Sequence, residues 1–211
     1  MKFKIIIVLF FIFILFLIRV FLFEIYTINQ NSMNNTYYQG DKVLILKNFY
    51  SIKQNDVIVF KREDEALIKR CVGLPGDVIT ILDGKIYLND NLIPQSSNVL
   101  LGTKSNNDIF TQSDIFYNFG RDWTVDNMGE YKIPKKGMTI KLSSERKSLY
   151  QNLFKGELQN SEKKISITDY TFRNDYYFLV GDNRINSVDS RIFGPISSSA
   201  ITGKVILNLK F

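Results

Sequence analysis

The chain has 211 residues, and its composition of 45% hydrophobic and 23% charged residues is typical of a folded protein with a substantial core. It contains no histidine and one cysteine, which excludes Ser-His-Asp and Cys-His catalysis, Cys/His zinc sites and intrachain disulfides. Hydrolysis by a serine hydroxyl with a lysine or carboxylate as base stays open, as does a metal site built from oxygen ligands.

The chain begins with a long apolar segment. Residues 5–23 contain Arg19 as their only charge. At ~1.5 Å per residue, a helix of this length crosses ~30 Å of hydrocarbon. We interpret residues 1–24 as a membrane anchor in which Arg19 reaches the outer headgroups. A cleaved secretory signal is the alternative, but the segment is long for one and no small-x-small cleavage site follows it.

The charges that flank this segment predict its orientation. Lys2 and Lys4 precede it, and the positive-inside rule therefore places the N-terminus in the cytoplasm and everything after about Glu24 outside. We expect a single-pass protein of the cytoplasmic (inner) membrane. The net charge of +6 does not indicate nucleic-acid binding, because the basic residues are scattered and the domain lies outside the cell.

After the anchor, short runs of alternating polarity separated by turn residues predict a mainly β fold. Asp83-Gly84 indicates a tight hairpin, and Pro75-Gly76-Asp77 a turn before a new strand. We expect a meander whose sheet is closed by the last strand. The predicted strands are 42–46, 56–60, 66–72, 78–82, 85–88, 176–180 and 200–209.

Residues 96–169 are more polar than the segments on either side. They contain one good helix candidate at 144–155, which we expect to end at Gly156. We interpret 96–169 as an inserted subdomain. Residues 25–95 and 170–211 are then the main β domain.

Three segments contain candidate catalytic residues. Ser32 lies nine residues after the apolar segment, hence within ~30 Å of the bilayer even if the chain is fully extended. Taken alone, a serine in an Asn-rich stretch is more typical of a turn or cap.

The second segment is the predicted strand that contains Lys69. Because side chains alternate along a strand, Lys69 shares a face with the apolar Leu67 and Cys71, while Arg70 lies on the other face. Burial there would lower the pKa of the amine and make it a base near neutral pH. An edge lysine with its stem along the sheet and its amine in water is the alternative.

The third segment, residues 181–194, is rich in small polar and charged residues and directly follows an apolar strand. Asp189 and Arg191 can pair and stabilise this loop, and Ser187 can form a hydrogen bond with a lysine amine.

In their order, these segments resemble type I signal peptidases. That family has a Ser-Met-x-Pro-Thr box after a membrane anchor, a Gly-Asp pair, a Lys-Arg-x-x-Gly-x-Pro-Gly-Asp box and a Gly-Asp-Asn-Arg-x-x-Ser-x-Asp-Ser-Arg box. The corresponding positions here are 32–36, 40–41, 69–77 and 181–191. The resemblance implies a signal-peptidase-type β-sheet or barrel catalytic domain and an endopeptidase that removes signal peptides from exported preproteins.

The resemblance also implies roles for individual residues. Ser32 is the nucleophile and its backbone N–H an oxyanion donor, Lys69 is the general base, Ser187 orients the Lys69 amine, and Asp189 with Arg191 is a supporting ion pair.

The remaining expected site residues are Asp182 in a supporting role, and Met33 and Gln30 in contact with substrate. Two positions depart from the family pattern. Asn35 replaces the family proline, which predicts a looser turn, and Gln30 stands where some members have a hydroxyl residue that assists the oxyanion hole.

The expected partners are preproteins and membrane lipid, with no metal, nucleic acid or cofactor. One alternative is a catalytically silent, membrane-anchored binding or assembly factor on the same scaffold. Ser144 and Lys147 fit the Ser-x-x-Lys box of penicillin-binding proteins, but a capped helix start explains them and no Lys-Thr-Gly box follows. Self-cleaving Ser-Lys repressors would not need the apolar segment.

Overall fold

The computed structural model describes residues 2–48, 50–101, 123–142, 144–158 and 168–209. Within these residues the chain forms three antiparallel sheets of seven, four and two strands, with one long N-terminal helix. The predicted mainly β fold is confirmed.

The N-terminal helix α1 spans Lys2–Leu22. Phe3–Leu22 has a mean hydropathy of 3.3 in its most apolar stretch, and the protein buries 0% of that stretch. The helix is therefore long and apolar enough to cross a membrane. Strand β1, Phe23–Thr27, begins at the next residue. Strand β1 was not predicted, because its first residue, Phe23, continues the apolar run. The limit of the anchor at residue 24 stays a prediction.

The seven-stranded sheet carries the candidate site. Its other strands are β2 (Lys42–Leu46), β3 (Val57–Arg62), β4 (Glu65–Gly73), β11 (Tyr176–Val180), β12 (Ile196–Ser197) and β13 (Ile201–Leu209). They lie in the order β1-β2-β13-β3-β4-β11-β12.

The C-terminal strand β13 lies between β2 and β3, paired with both. The meander was therefore wrong at this point, since β2 and β3 are sequential but not adjacent in the sheet. Residues 47–56 connect them across the position that β13 fills. The last strand does complete the sheet, but from its interior and not from an edge.

The four-stranded sheet contains β5 (Val78–Leu82), β6 (Lys85–Leu88), β7 (Asn91–Leu92) and β8 (Met128–Lys132) in the order β7-β6-β5-β8. The predicted hairpin between β5 and β6 is confirmed, with positive φ at both Asp83 and Gly84. Strands β9 (Thr139–Lys141) and β10 (Asp169–Thr171) form the two-stranded sheet.

Helix α2 spans Ser144–Leu158 and continues past Gly156, where we predicted its end. Its last turn is held by Glu157, whose carboxylate accepts hydrogen bonds from Tyr170 Oη and Tyr176 Oη and from the backbone N–H of Asn174. These tertiary contacts offset the low helix propensity of glycine.

One hydrophobic cluster joins the four-stranded sheet, α2 and β11, and contains Ile79, Ile86, Tyr131, Tyr150 and Phe178 among others. It includes residues on both sides of the boundary expected at 95/96, and β8 pairs with β5. The proposed limits of an inserted subdomain at 96 and 169 stay a prediction, and residues 102–122 lie outside the described part of the chain.

Candidate active site

Ser32 lies in a turn at residues 31–36, between β1 and β2. The Asn34 N–H donates to Asn31 O (3.1 Å), and the Thr36 N–H donates to Met33 O (3.0 Å). Asn35 has φ +77°, in the left-handed region that asparagine tolerates and that proline, held near −65°, cannot adopt. Backbone hydrogen bonds close this turn, and the expectation of a looser turn stays a prediction.

Lys69 contacts the candidate nucleophile directly. Its Nζ lies 2.7 Å from Ser32 Oγ and 3.1 Å from Ile68 O, and the side chain is 1% exposed. Strand β4 is interior to the sheet, paired with β3 and β11. The alternative of an edge lysine with a solvated amine is therefore excluded.

Burial lowers the pKa of the Lys69 amine to about 8. The Asp189 carboxylate raises that pKa and the Arg191 guanidinium lowers it, so the charges of these two residues oppose each other at the amine. A substantial fraction of Lys69 is consequently neutral just above neutral pH.

Asp189 and Arg191 form a buried ion pair with two parallel hydrogen bonds. Arg191 Nε lies 2.9 Å from Asp189 Oδ1, and Nη2 lies 2.9 Å from Oδ2. Asp189 also caps the short helix α3 (Ser190–Phe193) and accepts from the Gly181 N–H. Burial opposes its charge, but the Arg191 guanidinium and these hydrogen bonds hold the pKa of Asp189 below its usual range.

Ser187 is buried beside this pair. Its hydroxyl lies close enough to Asp189 to help lower the pKa of that carboxyl, yet among the described residues it makes no hydrogen bond of regular geometry. The hydrogen bonds of the Lys69 amine go to Ser32 and Ile68. Orientation of the amine by Ser187 stays a prediction.

Asp182 connects all three predicted segments. Arg70 donates to both of its carboxylate oxygens, from Nε at 2.8 Å and from Nη2, and Thr36 Oγ1 donates to Oδ2. The Asp182 N–H points to the Met33 sulfur at 3.4 Å. Residues 31–36, which contain the candidate nucleophile, are called the nucleophile turn below. The Asp182 carboxylate therefore connects this turn, β4 and the loop after β11.

The next residue makes a second connection to the nucleophile turn. The Asn183 N–H donates to Ser32 O at 2.9 Å, and its Nδ2 donates to Asn31 O at 3.1 Å. Gly181 lies so close that a Cβ on it would be 2.6 Å from Ser32 O and 2.2 Å from Ser187 Oγ. Only glycine fits there without displacing these groups.

Comparison with known proteins identifies the family of the chain. Residues 2–209 match the model of the family described as signal peptidase, peptidase S26. This chain belongs to the signal peptidase family. Its members are serine endopeptidases, and the resemblance seen in the sequence is confirmed.

Two relatives show the extent of the similarity. Signal peptidase I V of Bacillus subtilis is 29% identical over 85% of this chain and 82% of its own length. Signal peptidase I of Buchnera aphidicola subsp. Baizongia pistaciae is 31% identical over 92% of this chain and 71% of its own length. A crystal structure of a signal peptidase I from Enterococcus faecalis V583 covers 75% of this chain and 100% of its own, with 20% identity and a TM-score of 0.37.

In this signal peptidase, an open cleft of about 330 Å³ lies beside Ser32. Gln30 lies in its wall with Ser32 and Lys69, where a substrate contact is geometrically possible. The other lining residues are Asn31, Arg62, Glu65, Leu67, Asn186, Val188 and Phe193. Met33 is 0% exposed and packs in the core beneath the turn. Contact between Met33 and substrate has no support in this structure and stays a prediction.

The sequence did not single out Arg70, Thr36, Asn183 or Gly181, although each lies in a signal peptidase box. For Arg70, a signal was available in the sequence. Burying an arginine or an aspartate alone costs free energy, so a buried arginine is expected to pair with a buried carboxylate. No group of three or more metal-ligating side chains occurs in the part of the chain that the structure describes.

Proposed function

We propose that this member of the signal peptidase family removes N-terminal signal peptides from exported preproteins, with Ser32 as nucleophile and Lys69 as general base. The observation that carries the proposal is the 2.7 Å separation of Lys69 Nζ and Ser32 Oγ, both largely buried. The relatives named signal peptidase I support the substrate class.

In the proposed reaction, the neutral Lys69 amine takes the Ser32 proton while Oγ bonds to the scissile carbonyl carbon. The resulting ammonium gives the proton to the leaving nitrogen, and the C–N bond breaks to form an acyl-enzyme. Water then attacks the ester carbonyl, Lys69 takes the water proton and returns it to Ser32 Oγ, and the carboxylic acid product leaves.

The charges around Lys69 suit this role. A lone carboxylate near the amine would stabilise the ammonium and remove the base. Asp189 is instead occupied by Arg191 and by the Gly181 N–H, and Lys69 is surrounded by protein on the apolar face of β4. The desolvation effect therefore dominates.

Stabilisation of the tetrahedral oxyanion requires donors aimed at the developing charge. We assign the Ser32 backbone N–H as one donor. The Gln30 side-chain amide, in the wall of the same cleft, is our candidate for the second.

We expect this chemistry to take place beside the lipid. Helix α1 runs directly into β1, which leads to the nucleophile turn. Lys2 and Lys4 favour a cytoplasmic N-terminus, so we assign the catalytic domain to the outer face of the cytoplasmic membrane. A preprotein whose apolar segment is still in the bilayer would then present its scissile bond near Ser32.

A silent binding factor on the same scaffold is not favoured. Burying a lysine amine costs free energy, and a binding factor would have no use for a buried lysine beside a serine hydroxyl.

The test is cleavage of a detergent-solubilised preprotein by wild type, Ser32→Ala, Lys69→Ala and the exposed control Lys61→Ala, with mass spectrometry of the new N-terminus. We expect cleavage after a small residue by wild type and Lys61→Ala, and at least a ~10³-fold loss in both dyad variants. Undiminished cleavage by Ser32→Ala would exclude the mechanism, and no cleavage of several preproteins by wild type would favour the silent factor.

A further inference from the structure

The junction between α1 and the catalytic sheet contains no linker, because α1 ends at Leu22 and β1 begins at Phe23. The last carbonyls of a helix lack partners within the helix. Here the two residues that follow β2 supply three donors. Lys47 Nζ donates to Val20 O at 2.6 Å, Asn48 Nδ2 to Phe21 O at 2.8 Å, and the Lys47 N–H to Leu22 O at 2.8 Å. We call Lys47 and Asn48 the collar.

The collar is part of a larger attachment. Strand β1 pairs with β2 along its whole length, from Phe23 opposite Leu46. Lys47 Nζ also lies 3.8 Å from the Glu24 carboxylate. A cation at a helix C-terminus is favourable for the helix dipole. Because β2 is paired on its other side with β13, the anchor is fastened to the interior of the sheet and not only to its edge.

A fastened anchor has a different consequence for catalysis than a tethered one. A flexible tether would let Ser32 sample many heights above the lipid, over a range that grows as ~5–6 Å × √n for n residues. The extended β1, five residues long, instead forms a fixed segment of ~16 Å on the path from the helix end to the nucleophile turn. Ser32 can then reach only the few peptide bonds of a substrate that lie at a matching distance from the membrane in which its apolar segment is held.

We infer that Lys47 and Asn48 are positioning residues that limit which spacer lengths between the membrane-held apolar segment and the scissile bond are cleaved. This inference depends on the proposed function, since it concerns which bond Ser32 reaches. The collar touches neither Ser32 nor Lys69, so its loss should alter the selection of membrane substrates and not the cleavage chemistry.

The experiment uses the full chain in phosphatidylcholine–phosphatidylglycerol vesicles, with model substrates that carry a transmembrane apolar segment, a spacer of varied length and an Ala-x-Ala site. A soluble peptide with the same site reports chemistry without the membrane. The variants are Lys47→Ala with Asn48→Ala, and Lys42→Ala, which removes an exposed lysine from the opposite end of β2.

We expect wild type and Lys42→Ala to cleave one or two spacer lengths at least tenfold faster than the others. The collar variant should cleave the soluble peptide at a rate within twofold of wild type. Its cleavage rates for the different spacer lengths, however, should differ from one another by no more than about threefold. An unchanged, sharp profile in the collar variant would overturn the inference. Failure of wild type to cleave the soluble peptide would instead overturn the proposed function.

A distance measurement tests the collar without activity. Spin labels can be attached at Leu15→Cys on α1 and Leu82→Cys on β5, which are both exposed positions. In wild type they should give a narrow distance distribution by pulsed electron paramagnetic resonance. The collar variant should broaden it. Equal widths in the two proteins would show that Lys47 and Asn48 do not fasten the anchor.

Discussion

Arg70 donates to both carboxylate oxygens of Asp182 from the face of β4 opposite to Lys69. The pair is little exposed, and the hydrogen bonds with Asp182 raise the pKa of the Arg70 guanidinium. Adjacent residues of one strand therefore serve two different purposes. Lys69 contacts the Ser32 hydroxyl, and Arg70 binds the loop that contains the other candidate site residues.

Removing Asp182 should destabilise the protein, because among the described residues the largely buried Arg70 guanidinium then keeps only the Asn55 carbonyl as a hydrogen-bond acceptor. We expect Asp182→Ala to lower the free energy of unfolding by about 3 kcal/mol, measured by urea denaturation, and to reduce kcat as the nucleophile turn loses its contact with Thr36. Glu63→Gln, in the exposed Arg62–Glu63 pair, is the control and should change stability by less than ~0.5 kcal/mol. Similar losses in both variants would show that the Arg70–Asp182 pair has no special role.

The pH dependence of catalysis should report Lys69. In the proposed mechanism the neutral amine is the active form, and burial lowers its pKa to about 8. Therefore kcat/KM should rise with pH and reach half its maximum near pH 8. Asp189→Asn removes the carboxylate that raises this pKa and should shift the rise to lower pH. Activity that is flat between pH 6 and 10 would contradict Lys69 as the base.

Adding a methyl group at Gly181 should disturb the site through contact alone. In Gly181→Ala the new Cβ would lie 2.2 Å from Ser187 Oγ and 2.6 Å from Ser32 O, so the nucleophile turn must move. We expect kcat to fall at least ~10²-fold, since small displacements of reacting groups are costly. Gly156→Ala, where nothing lies within 4 Å of the added Cβ, is the matched control and should slightly stabilise α2.

Restoring the family proline should harm this enzyme. Asn35 has φ +77°, which proline cannot adopt, so Asn35→Pro should reorganise the turn after Ser32 and lower both activity and melting temperature. Asn35→Gly accepts the same backbone and should retain most activity. Higher activity in Asn35→Pro than in wild type would show that the turn described here is not the active one.

Local patterns in the sequence predicted those parts of the fold that depend on neighbouring residues. The apolar helix, the strands 42–46, 78–82, 85–88 and 176–180, and the Asp83-Gly84 hairpin all follow from periodicity and turn chemistry. The alternation that placed Lys69 on an apolar face is confirmed by the cluster that contains Leu67 and Cys71. The family was evident because its boxes keep their order and spacing along the chain.

By itself, then, the sequence determined the class of chemistry, the family and the candidate dyad, because residue type and order are sufficient for these. Only the tertiary structure decided that β13 lies between β2 and β3, that Arg70 binds Asp182 in the loop after the neighbouring strand β11, and that Asn48 contacts α1. Such contacts join residues that are distant in the chain. They depend on the paths of the intervening loops and on the need to pair buried polar groups, which no local pattern encodes.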